Sequence, residues 1–177
     1  MSIAASFLER SRYYLLTEYP TKIRAAVEAM PADTVWWRPN EAANSVGNLL
    51  LHLSGNVRQW IVSGVGGHPD VRQRNLEFAA RGGMTGSAML DGLDVTLREA
   101  DEVLRALGPS ELLSRRTIQG RETTVFEAIY HVVEHFSTHT GQIVWIAKMT
   151  SPGAVRFYDD GDGLAKPTFL GPGTLDF

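Results

Sequence analysis

Three of the five histidines fall within nine residues, in the run His131-Val-Val-Glu134-His135-Phe-Ser-Thr-His139-Thr-Gly-Gln142. Histidines four apart on a helix lie one turn apart on one face, with Cβ atoms about 5–6 Å from each other, so two imidazoles can share a metal ion. At about 100° per residue the three rings follow one flank of the helix's apolar stripe, His139 nearest its centre and His131 farthest out. Two pairings are open. His131 and His135 with Glu134 spell H-x-x-E-H, the inverted zinc-protease pattern, in which Glu is the general base and a downstream Glu usually completes the site. No Glu follows Glu134 in the chain, which argues against a protease. The other pairing joins His135 and His139, completed by a histidine from elsewhere. His52 is available in the apolar run Leu49-Leu50-Leu51-His52-Leu53, where a buried ring needs a partner. Taken alone it reads as a core histidine bonded to a carbonyl. Beside the helical pair, metal ligation explains it better. His68, in a glycine-rich loop before Pro69, reads as a surface residue.

There is no cysteine, so disulfides, thiolate zinc sites, iron–sulfur clusters and a cysteine nucleophile are all excluded. A metal must be held by His, Asp or Glu. The 177 residues fit one domain with a core of its own, and 44% hydrophobic with 21% charged residues is an ordinary globular composition. A net charge of −3 offers no basic surface for nucleic acid. The longest apolar runs, such as 46–53, are broken by Asn48 and His52 and are too short to span a bilayer. The first ten residues do not resemble a secretory signal, so the cytoplasm is the expected location. Phosphate-binding glycine fingerprints and the G-x-S-x-G elbow are absent. Asp159-Asp160-Gly161-Asp162-Gly163 lacks the spaced acidic ligands and closing Glu of a calcium loop.

The elements that must position the histidines are helical. Phe7, Leu8, Leu15, Ile23, Val27 and Met30 mark a first helix over 4–30, with Pro20 expected to kink it or end a first segment. Asn44 or Ser45 caps a second helix, striped by Val46, Leu49, Leu50, Leu53, Val57, Trp60 and Ile61 and ended by the glycines at 64–67. Residues 68–86 are polar and irregular, with a short helix around 72–80. A third helix runs over 87–107 on Met89, Leu93, Leu97, Ala100 and Leu104, stopped by Gly108-Pro109. Residues 115–121 form an extended segment or short turn. Thr123 or Thr124 then caps a fourth helix reaching 149. Four long helices predict an all-α, four-helix bundle over 1–150, with a long connection between helices two and three. Plain up-and-down and crossover connections both fit. The tail, 151–177, has five glycines and three prolines and is read as a loop or extended arm packed on the same domain.

The run His131 to Ile143, with His135, His139 and then Gly141-Gln142, resembles the signature of the DinB/YfiT-like metalloenzyme family. Asn44-Ser45-Val-Gly-Asn-Leu-Leu-Leu-His52-Leu53 is similar to that family's second-helix segment. The resemblance covers about residues 5–150. It implies a four-helix bundle in which His52, His135 and His139 hold a divalent ion, zinc or nickel, leaving His131 and Gln142 to orient a ligand imidazole or a bound water. It also implies a homodimer and chemistry like that of transferases and isomerases using a low-molecular-weight thiol. Three neutral nitrogen ligands leave positions open, as in catalytic sites, and would accept zinc, nickel, copper, cobalt or iron.

The reading that follows is a metal-dependent S-transferase joining a small thiol to an electrophile. Its rivals are a hydrolase that activates water at the same ion and a non-enzymatic stress protein. Glu134 reads as solvated or intersubunit. Trp36-Trp37 reads as packing at a helix junction. Arg72, Arg74 and Arg81 read as solvated loop charges, with binding of an anionic cosubstrate as the alternative.

Overall fold

The structure, a computed structural model, describes residues 2–169. It is mostly helical, with two small antiparallel sheets. Helix α1 runs continuously through Ile3–Tyr13, a π-helical stretch Tyr14–Glu18 and Tyr19–Glu28. Ser2 caps it by accepting from the Ala5 N–H. Pro20 does not end the helix. It has no N–H to give and its ring would meet the carbonyl one turn back. The wider turn, in which Tyr19 N–H reaches Tyr14 O five residues back, lets the chain run through it.

Helix α2 comprises Val46–Val57 and a π-helical continuation, Arg58–Val65. Ser45 is its cap, and Ser45 and Asn48 satisfy each other's backbone amides in a capping box. The connection that follows carries a short helix, α3, Arg74–Ala79. Helix α4, Gly86–Ala106, starts on Thr85 and buries Met89, Leu90, Leu93, Leu97, Ala100 and Leu104. Strands β1, Arg115–Ile118, and β2, Arg121–Thr124, pair antiparallel where an extended segment or short turn was expected. The two-residue turn between them, Gln119-Gly120, takes positive φ at both positions, 53° and 72°, which suits a tight hairpin. Helix α5, Val125–Thr150, is capped by Thr124 with Glu127.

Helix α2 packs against α4 and α5, and α1 packs against α5 and α4. Leu15, Ile23, Leu49, Leu50, Leu53, Ile61, Leu93, Leu104, Ile129, Phe136 and Ile143 fill the space between them. Ion pairs Arg12–Asp101, Arg24–Asp94 and Arg58–Glu99 tie α4 to α1 and α2 at the surface. The tail is more than a loop. Val155 and Phe157 are buried, and β3, Tyr158–Asp159, pairs with β4, Lys166–Pro167. The expectation for 170–177 lies outside the described residues. Among those described, no helix is long and apolar enough to cross a membrane.

Candidate metal centre

The site lies on a polar seam between two helices. On α2, His52, Asn56 and Trp60 recur every four residues, and on α5 so do His131, His135 and His139. The helices run in opposite directions, so the two series meet in reverse order. His52 faces His135 and His139, while Asn56 and Trp60 face His131. The apolar stripes on either side, Leu49, Leu53 and Val57 with Val132, Phe136 and Ile143, are buried and hold the seam in register.

Three ring nitrogens converge. His52 Nε2 lies 3.0 Å from His135 Nε2, and His139 Nε2 lies 3.2 Å from the same atom. One ligand atom from each of His52, His135 and His139 lies within 4.8 Å of the others, so the group could hold a metal ion. The outer nitrogens of two rings are engaged. His52 Nδ1 is 2.9 Å from Glu77 Oε2, and His139 Nδ1 is 2.7 Å from Gln142 Oε1. Both oxygens are acceptors, so each of these bonds calls for a proton on Nδ1, the form in which Nε2 turns a lone pair inward. His135 Nδ1 is buried without a partner among the described residues.

Burial, reinforced by the surrounding histidines, lowers the His135 pKa to about 3. Burial also lowers His139, against the opposing pull of its Gln142 bond, and lowers His131. These rings are neutral at neutral pH, the form that ligates a metal. The donor set fits a divalent ion. Nitrogens on one tetrahedral zinc, each about 2.0–2.1 Å from it, stand about 3.3 Å apart. A lone proton on His135 Nε2 could satisfy only one of its two neighbours, leaving a lone pair facing a nitrogen. A cation satisfies all three.

His131 stands apart from this group. Its ring packs on Trp60, centroids 4.3 Å apart, and its Nε2 is 3.4 Å from Asn56 Nδ2. No hydrogen bond joins it to another histidine among the described residues. Glu134 is exposed, with its charge felt by His131 and His139, and His68 is exposed too. Trp36 packs over Gly47 and donates to Met84 O at 2.9 Å, as a packing residue would.

The α2–α4 connection holds what sequence reasoning missed. Arg72 is not a solvated loop charge, and its side chain is only 2% exposed. Its Nε and Nη2 donate to Glu77 Oε1 at 2.7 Å and Oε2 at 2.8 Å, and Nη1 donates to Gln59 Oε1 at 2.9 Å. An anionic cosubstrate would have to displace this pair. Arg74 lies over the Phe78 ring, and Arg81 donates to the Phe78 and Ala80 carbonyls. Burial pushes the Glu77 carboxyl up, but bonds from Arg72 and His52 outweigh it and leave its pKa below the usual range. Glu77 had no sequence signal beyond its place in a short helix. Nothing local ties it to a histidine 25 residues earlier.

The family model described as Protein of unknown function (DUF1572) matches residues 2–157. No curated protein matches the chain.

Proposed function

Because the chain belongs to the DUF1572 family of proteins of unknown function, we propose from the site itself that it is a divalent-metal-dependent S-transferase of the DinB-like superfamily. On this reading the helices form that superfamily's four-helix bundle, 1–150, and the protein acts in the cytoplasm as a homodimer. The observation that carries the reading is the convergence of three Nε2 atoms, two of them freed by hydrogen bonds on the far side of the ring.

His52, His135 and His139 would hold the ion, and the resemblance to the DinB/YfiT-like family points to zinc or nickel among the metals that imidazoles accept. When bound, it supplies Lewis-acid chemistry, lowering the pKa of a thiol or a water presented to it. The chain's own residues keep His135 and His139 neutral by burial and orient His52 and His139 through Glu77 and Gln142. The chain has no cysteine, so a reacting sulfur must arrive with the substrate.

Hydrolysis at the same site is the rival, and it calls for a base. Glu77 is the nearest carboxylate in the hydrogen-bond network, but Arg72 occupies both of its oxygens and His52 shares one. Among the described residues, no carboxylate oxygen is one of the ligand atoms that converge with the three histidines. This favours the thiol route.

The test is a panel in which zinc- or nickel-loaded protein meets bacillithiol or mycothiol with an electrophile, beside a set of esters without thiol. Thiol consumption that disappears in His135→Ala supports the transferase. Ester cleavage without thiol points to the hydrolase, and inertness in both arms to a non-enzymatic protein.

A further inference from the structure

His52 Nδ1 has two neighbours that make opposite demands on it. Glu77 Oε2, at 2.9 Å, can only accept and therefore calls for a proton on Nδ1. Arg72 Nη2, at 3.0 Å, can only donate and calls for a bare Nδ1. The choice decides the far side of the ring. With the proton on Nδ1, Nε2 presents a lone pair to the convergence. With the proton on Nε2, the ring donates toward His135 Nε2, 3.0 Å away, and His52 is no ligand.

We propose that Glu77 is a positioning residue, selecting the tautomer in which His52 can bind a metal, and that Arg72 holds the carboxylate in place while favouring the opposite tautomer itself. The proposal rests on the metal-site reading above. Either bond would be charge-assisted, and Glu77 prevails because Arg72 does not need the ring nitrogen. The guanidinium meanwhile has both Glu77 oxygens and Gln59 to satisfy it.

The geometry around the pair is tight. Gly55, on α2 next to His52, has room for no side chain. A Cβ there would collide with Glu77 Oε1, come within 2.9 Å of Glu77 Cδ and 3.0 Å of Arg72 Nε. The glycine lets the buried pair lie against the helix at the level of the ligand. The carboxylate itself comes from α3, in the connection, so the site is complete only with that segment docked.

Two readouts on the full chain test this. Nitrogen-15 NMR of the imidazoles in metal-free protein reports the tautomer with no metal or substrate involved. His52 should carry its proton on Nδ1 in the wild type and on Nε2 in Glu77→Ala. Zinc affinity, measured by chelator competition, should fall roughly 10–100-fold in Glu77→Ala. It should also fall in Gly55→Ala, which keeps both charged residues but displaces the carboxylate and so serves if Glu77→Ala does not fold. A wild-type His52 protonated on Nε2, or an Nδ1 proton that persists in Glu77→Ala, overturns the proposal, as does unchanged zinc affinity in both variants. Wild-type protein that binds no zinc yet shows the tautomer exchange would refute the metal reading and leave Glu77's selection of the tautomer standing.

Discussion

Among the side chains of the site, the outer ring nitrogens differ most. His52 Nδ1 is held by a buried carboxylate, His139 Nδ1 by Gln142, which is exposed, and His135 Nδ1 by nothing described. Removing the Gln142 bond should cost less than removing Glu77, because water can replace an exposed acceptor. Gln142→Ala should weaken zinc binding by about 10-fold or less, the low end for partners behind a ligand. A chelator competition titration checks this. Protonation gives a second prediction. In the folded, metal-free chain His135 takes its proton only near pH 3, against 6.5 for a free ring. The unfolded chain therefore binds more protons between these values. The associated stability is whole above about pH 6.5 and is lost as pH falls toward 3. Lowered values at His139, His131 and Glu77 act in the same direction. Urea unfolding of metal-free protein should show stability falling through this window, with a shallower slope in His135→Ala.

The helices and the connection bring these groups together with unequal visibility in the sequence. Asn48, fully buried near the start of α2, accepts from Ser45 N–H at 3.1 Å and donates to the Glu77 and Ala80 carbonyls at 2.8 and 3.0 Å. It thus joins the cap of α2 to the segment that carries Glu77. Asn48→Ala would strand several buried groups and should cost about 2–4 kcal/mol in a denaturant titration, with faster hydrogen exchange over 70–80. The pair His135 and His139 was legible because four-residue spacing on a striped helix is a local signal, and His52 as a polar ring in an apolar run; the Ser45 and Thr124 caps were legible to within one residue. Glu77 and Arg72 were not, since 66–85 has no period and the groups the pair meets beyond itself, His52 and Gln59, lie on α2. Pro20 was half legible: the α-helix does give way just before it, but to a π stretch, Tyr14–Glu18, that carries the chain on instead of ending the helix. The burial of Val155 and Phe157 was hidden for a related reason: two apolar residues among glycines and prolines make no pattern.

Across the described residues the long helices bury an apolar core and leave a polar seam between α2 and α5, and the proposed chemistry follows from what that seam holds. The overall charge is small and negative, so no broad field gathers an anionic partner. On the proposed reading, specificity comes from the seam and the surfaces beside it. That places the weight of the account on one claim, that the chain binds a single divalent ion through His52, His135 and His139. The most direct test is metal content by elemental analysis of wild-type protein and His135→Ala, each loaded with zinc or nickel and desalted. About one ion per chain in the wild type, with a higher melting temperature than the stripped protein, and neither in His135→Ala, is the predicted result. Undiminished metal in His135→Ala, or a wild-type chain that retains no ion and melts unchanged, would contradict it.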